Sequence, residues 1–314
     1  MYLFQQERRL HYNDDIQKER KDMYILKNEC LKIELHEKGA MLWSIKDADG
    51  NEYLWQGDEK YWANRAPNLF PYIGRMTEGK YTLQGQTYQM NIHGFARDMF
   101  FEAQQISDTH ILFTIKNTEE TYKQYPYQFL FTVSYILENN KLKIQYHVSN
   151  HDEKTMYFGV GAHPGFNVPF ETNTVFEDYF LQFDSVSDAK RVEFSDDCFV
   201  SGEFTEFFLD DENSLPLRHG LFDYDAIVLT DMAQKVTLMS KKGHKGISVT
   251  YPGMKYLGLW HRPKTDAPYI CIEPWSSLPS RKGIVEDLAS QPSMLALKKG
   301  CEYNNQIVIE LFDK

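Results

Sequence analysis

The sequence predicts an all-β fold, one large antiparallel β-domain, and three observations carry that expectation. From Met23 onward apolar residues recur with a period of two over most of the chain. The apolar runs are short and are separated by turn signals, with Ile284–Ser290 as the best helix candidate beyond the first residues. Aromatic residues make up 15% of the 314 residues, a composition that favours strands. A half-buried strand covers only one face, so strands in this number need a facing sheet.

The elements follow in chain order. Residues 1–22 are highly charged and lack alternation, and they read as an N-terminal extension, either a short helix or disordered. Met23–Asn28 begins the strand pattern. Leu31, Ile33 and Leu35 then alternate with Lys32 and Glu34, and Gly39-Ala40 turns the chain into Met41–Lys46. Asp49-Gly50-Asn51 is a strong hairpin signal before Glu52–Trp55. Gly57–Asn64 can form one helical turn. Lys80–Leu83 and Thr87–Met90 form a strand pair around Gln84-Gly85-Gln86. Phe100–Ser107, Ile111–Asn117, Gln128–Glu138 and Lys141–Asn150 continue the rhythm, and Met156–Val160 follows. Residues 171–219 are less regular and more acidic, with short strands at Tyr179–Phe183 and Phe204–Leu209. Ala226–Thr230, Lys235–Ser240, Gly246–Tyr251, Tyr256–Trp260 and Asn305–Phe312 complete the set. There is no internal repeat and no low-complexity linker, so residues 23–314 read as a single domain.

Composition excludes several function classes. Lys plus Arg total 34 against 45 Asp plus Glu, a net charge of −11, which argues against nucleic acid or an anionic membrane as partner. The four cysteines show no CxxC spacing, so neither a zinc site nor a redox pair is indicated. No apolar run approaches the ~20 residues that span a bilayer, and the N-terminus lacks the apolar core of a signal peptide. The expected setting is the reducing cytoplasm. Cys271, between Ile270 and Ile272, reads as a core residue.

The chemistry is concentrated in residues 70–101, FPYIGRMTEGKYTLQGQTYQMNIHGFARDMFF. A turn-rich segment ends in Arg75, a permanent cation. A hairpin follows, and it delivers His93 directly before Gly94. A cation, an imidazole and an aromatic face brought together by a hairpin suit a polar ligand with many hydroxyls. The plain alternative is a surface ion pair at Arg75 and a turn-capping histidine at 93.

The spacing GRMTEGKYTLQGQTYQMNIHG resembles the aldose 1-epimerase (galactose mutarotase) family. That family carries an arginine, a glycine about four residues on, a Tyr/Phe-x-Leu-x-Gly hairpin and His-Gly. Ala162-His163-Pro164-Gly165-Phe166-Asn167 resembles its second histidine motif. Cys271-Ile272-Glu273-Pro274-Trp275 stands where the family has its glutamate. Three motifs in the right order make the match specific. Gly74 stands where the best-known members have Asn, one glycine rather than two follows His93, and Gly165 replaces an aromatic. The segment after Glu273 differs as well. These departures resemble the bacterial branch associated with lactose and tagatose operons. Met23 corresponds to the family's usual start, and the resemblance implies a twisted β-sandwich, the galactose mutarotase supersandwich.

The activity implied is interconversion of the α and β anomers of an aldohexose such as galactose or glucose. It needs a base for the O1 proton and an acid for the ring oxygen, and no metal, nucleotide or other cofactor. By resemblance Glu273 is the base, His163 the acid, His93 a group near the ring oxygen, and Arg75 an anchor for hydroxyls through its rigid fork of donors. The acid and base are expected on opposite sides of the pyranose. A site aspartate is expected at Asp225, which leads into an apolar strand, with Asp223 as the alternative. Phe95, Trp260 and Trp275 are candidates for stacking on a sugar, against core packing for each. Metal binding by two His, one Glu and one Asp is disfavoured, because no His-x-His pair occurs and Arg75 would oppose a cation. Three rivals remain: a non-catalytic sugar-binding module, an epimerase for a phosphorylated hexose using Arg97 with Arg262 or Lys264, and a polysaccharide lyase, which the acidic charge disfavours. Monomer and homodimer are both compatible with the sequence.

Overall fold

The computed structural model describes residues 23–184, 188–210 and 213–313, so the expected extension, residues 1–22, lies outside the described residues. The fold is an antiparallel β-sandwich. A nine-stranded sheet runs in the order Ser214–Pro216, Tyr179–Phe183, Lys235–Ser240, Lys245–Thr250, Glu302–Asp313, Lys141–Asn150, Phe129–Glu138, His110–Lys116, Glu102–Ser107. A second sheet runs Val200–Glu206, Lys190–Phe194, Ile227–Thr230, Tyr256–Trp260, Tyr269–Trp275, Gly161–Ala162, Asn68–Leu69. Gly165–Asn167 adds to Tyr269–Trp275 off this path. A three-stranded sheet, Met23–Lys27, Leu31–His36 and Met41–Asp47, flanks them, and the hairpin Lys80–Leu83/Gln86–Gln89 stands apart.

Alternating side chains bury one stripe of each strand. In Phe129–Glu138 and Lys141–Asn150, Phe131, Val133, Leu142, Ile144 and Val148 enter the core with Ile307 and Ile309 of the adjacent strand Glu302–Asp313. The central strands of the second sheet, Ile227–Thr230, Tyr256–Trp260 and Tyr269–Trp275, are buried on both faces. Ile227, Leu229, Leu257, Leu259, Ile270 and Ile272 join the main core, whereas Val228, Tyr256 and Trp275 form a separate cluster on the other face with Val192, Leu69 and Ile73. That second face carries the site described below. Tyr269–Trp275 is buried at every position, so it lacks the alternation that marks a strand in sequence, and it is absent from the sequence-based set.

Two expectations are corrected. Ile284–Ser290 is not a helix. It is a run of turns in which Leu288 N–H donates to Thr82 O, tying the segment to the small hairpin. Among the described residues the α-helix is Glu119–Gln124, capped by Thr118, whose hydroxyl accepts from the Thr121 N–H. Glu52–Trp55 is not a strand either. It is held by isolated bridges to Lys46 and Phe166. The expected turn near Gly57–Asn64 is present, with Trp62 N–H donating to Asp58 O. Among the described residues no helix is long and apolar enough to cross a membrane.

Candidate active site

Glu273 sits in the middle of Tyr269–Trp275, and the row Val228–Gly258–Glu273 crosses the second sheet on its outer face. Gly258 leaves the room this row needs, because a Cβ there would lie 3.0 Å from the Trp275 ring and 3.2 Å from Glu273 Cβ. On the other side of Glu273 the ladder is interrupted. Gly161 pairs with Trp275 and Gly165 with Cys271. Continuing that register sets His163 opposite Glu273. Pro164 and Pro274, which have no N–H to give a ladder, fill the gap. The interruption frees both side chains from regular pairing while keeping them cross-strand neighbours. His163 Nε2 is 3.3 Å from Glu273 Oε2.

This corrects the expectation that His163 and Glu273 would stand on opposite sides of a bound sugar. They are adjacent on one wall. The physical reason is the register of the two segments, which makes His163 and Glu273 cross-strand neighbours.

Burial decides the protonation of the pair. Glu273 is 1% exposed, and its carboxyl is pushed well above the usual carboxylate range, first by burial and then by the Asp225 charge, with the Trp275 indole acting the other way. Burial, aided by the Arg97 charge and opposed by a backbone hydrogen bond, pushes His163 down to about 3. Burial thus favours the neutral form of each group.

His93 has φ +65 and turns back on Gly74. Its backbone N–H donates to Gly74 O at 2.9 Å, and its Nδ1 accepts from Gly74 N–H at 3.1 Å. With Nδ1 an acceptor, the proton is assigned to Nε2, which leaves a donor for a ligand. Burial first, then the neighbouring His163 imidazole and the Arg97 and Arg75 charges, hold the His93 ring well below its ordinary pKa. Gly74 is required here: its φ is +73, and a Cβ would lie 2.3 Å from Pro279 Cγ.

Arg75, His93, His163, Asp225 and Glu273 all line one cavity of about 300 Å³, within the range of small-molecule sites. Asp223 does not line it. Asp225, at φ +77, accepts from Trp260 Nε1 and from Cys198 Sγ, each at 2.6 Å. Burial and this carboxylate push the Cys198 thiol up to about 12. Trp260 and Trp275 line the cavity, but Phe95 is 6% exposed and packs on Phe70, Tyr125 and Phe129 in the core. Arg97 and Arg262 line the cavity, and Lys264 does not.

Sequence reasoning missed Trp62. Its ring stacks on His163, with centroids 4.8 Å apart and planes at 26°, and its carbonyl accepts from Trp55 Nε1. Gly165 makes the space, since a Cβ there would lie 3.1 Å from the Trp62 ring. The glycine in place of an aromatic was the available signal. Cys198 was missed as well, and nothing in its local sequence marks it.

For a metal, the described residues offer one group: donor atoms of His163, Cys271 and Glu273 lie within 4.8 Å of one another, all buried. A cation there would occupy both His163 and Glu273. Cys271 also packs with Trp55, Ala267 and Tyr269, as expected of a core residue.

The sequence profile described as aldose 1-epimerase matches residues 22–310. The chain belongs to the aldose 1-epimerase family. Protein LacX (chromosomal) of Lactococcus lactis subsp. lactis is 35% identical over 292 residues, covering 87% of this chain and 94% of that protein. A galactose mutarotase-like protein from Lactobacillus casei ATCC 334 superposes with a TM-score of 0.88 at 33% identity, covering 92% of this chain and 100% of that one. A galactose mutarotase related enzyme from Lactobacillus acidophilus gives 0.87 at 32%, covering 92% and 97%. Epimerase family and mutarotase-like structures together support a general epimerase or mutarotase role.

Proposed function

We propose that this protein is an aldose 1-epimerase that interconverts the α and β anomers of an aldohexose by acid–base opening and closing of the ring. The observation that carries the proposal is the buried carboxylate–imidazole pair, 3.3 Å apart, lining a cavity of sugar size. The pair holds one proton, which is what the reaction has to exchange. As O1–H approaches Glu273 it donates to the carboxylate, which favours the ionised form, and the shared proton resides on His163. Glu273 then takes the O1 proton, His163 protonates the ring oxygen, and the C1–O5 bond opens. Rotation about C1–C2 presents the other face of the aldehyde, and the same transfers in reverse close the ring. His93 Nε2–H donates to the ring oxygen or a neighbouring hydroxyl, Arg75 offers its fork to substrate oxygens, and Trp62, stacked on His163, keeps that imidazole in plane.

The test is anomer exchange measured by NMR on free aldohexoses. Glu273→Gln keeps the shape and removes the base, so exchange should fall by at least the roughly 10²–10⁴-fold typical of an acid–base residue, with sugar binding retained. Near-normal exchange in that variant would sink the mechanism. Binding without exchange in the wild type would make the protein a sugar-binding module.

A further inference from the structure

The cavity's charge is opposite to that of the molecule around it. The chain carries −11 overall, yet Arg75, Arg97 and Arg262 all line the cavity, and no lysine does. Among the described residues no recorded hydrogen bond or ion pair engages the guanidinium of Arg75 or Arg262. Arg97 has only Asp98, at 4.0 Å, with that carboxylate 60% exposed. The two cavity carboxyls do not neutralise them. Glu273 is buried and faces His163 at 3.3 Å, and both oxygens of Asp225 are taken by Trp260 and Cys198. Two unpaired guanidinium groups, and a third whose one partner is an exposed carboxylate 4.0 Å away, against one satisfied carboxylate fit an anionic ligand, and the guanidinium fork fits phosphate in particular.

Chain connectivity locates the anion. Arg75 follows Gly74, which is bonded to His93 in both directions. Arg97 lies in the turn Ala96–Asp98 just after His93-Gly94-Phe95. Both arginines therefore stand at the His93 end of the cavity, next to the His163–Glu273 pair. When C1 of a hexopyranose lies on that pair, C5 is across the ring oxygen and C6 projects beyond it. The anomeric oxygen must stay free to ionise, so C1 itself cannot carry the charge.

We propose that the substrate is an aldohexose phosphorylated at C6, with its phosphate held by Arg75 and Arg97 and attracted by the field of Arg262. This rests on the epimerase reading above and names the substrate class of the same site.

The test compares NMR anomer exchange of galactose and glucose, their 6-phosphates, and the corresponding uronates. The 6-phosphates should show kcat/KM at least about tenfold above the free sugars, the scale of one charge-assisted contact. Arg97→Gln should reduce that ratio by about tenfold to a hundredfold, and Arg97→Lys, which keeps the charge without the fork, should restore part of it. Equal rates on free and phosphorylated sugars would overturn the proposal. So would an Arg97→Gln variant that slows both alike, since that marks a structural role. Uronates turned over as well as the 6-phosphates would replace phosphate by a carboxylate. Calorimetric binding to the Glu273→Gln variant separates this inference from the reaction. If no sugar is epimerised by the wild type but hexose 6-phosphate still binds more tightly than free hexose, the epimerase reading fails and the anion site stands.

Discussion

At the scale of single residues, the site joins two histidines that both resist a charge. Burial pushes His163 down to about 3, and burial with the neighbouring His163 imidazole and the Arg97 and Arg75 charges pushes His93 well below its ordinary value. A depressed imidazole is neutral at every pH above its lowered pKa, so neither ring should titrate between pH 5 and 8. The profile of kcat/KM, which reports the free enzyme, should therefore be flat through pH 6.5. Its acid limb should lie well below that, and its alkaline limb should appear where the pair loses its proton, above the ordinary carboxylate range. A limb centred near 6.5 would show an ordinary imidazole in control. Gly74→Ala tests the tautomer lock. The added Cβ meets Pro279 at a left-handed φ, so about 1–3 kcal/mol of stability should be lost. The nitrogen NMR signature of an Nε2–H His93 should weaken with it, and an unchanged spectrum would show that another contact fixes the ring. Arg75, His93, His163 and Glu273 were legible because each stands in a short motif. Their adjacency was not. It depends on a register between residues 161–165 and 271–275 that exists only once both segments join the sheet. Asp225 rather than Asp223 was legible from the apolar run that follows it.

At the scale of elements, the strands with one wet face were easy to read. Phe129–Glu138 and Lys141–Asn150 alternate almost throughout. The strand that carries Glu273 does not alternate, since both its faces are covered, and the false helix at 284–290 has helical spacing but is pinned by Thr82. The three-stranded sheet is attached to the nine-stranded one partly by Lys245 Nζ bonded to Asp47 Oδ2 at 2.6 Å. Burial raises the Asp47 pKa, but the Lys245 and Asn51 contacts outweigh it and hold the carboxyl at about 2. A depressed folded-state pKa gives stability that is present above the unfolded value of ~3.9 and lost as pH falls toward 2. Asp47→Asn should cost about 1 kcal/mol at pH 7 after allowance for solvent screening. In urea melts the gap to wild type should close between pH 4 and 2, and a gap that persists at pH 2 would assign the effect to packing instead.

At the scale of the whole molecule, the family match begins at residue 22 and the first described strand at Met23. Removing residues 1–22 should leave both the melting temperature and the rate of anomer exchange unchanged. A folded truncation with greatly reduced turnover would show that the segment serves the site. The all-β architecture was legible from period-two patterning. The pairing order was not, because neighbours such as Lys245–Thr250 and Glu302–Asp313 are brought together across more than fifty residues by packing rather than by any local turn.

The position of Glu302–Asp313 bears on how the protein is made. It is the last described strand in chain order, yet it is fifth of nine in its sheet, bonded to Lys141–Asn150 on one side and Lys245–Thr250 on the other. While the chain leaves the ribosome, two half-sheets must wait with open edges for the same late segment. Each edge is a ready template for pairing with a neighbouring chain. The layer that supports the Glu273 strand is completed only when that segment inserts, so a nascent chain stalled before residue 302 would hold Arg75, His93, His163, Asp225 and Glu273 and no finished wall behind them.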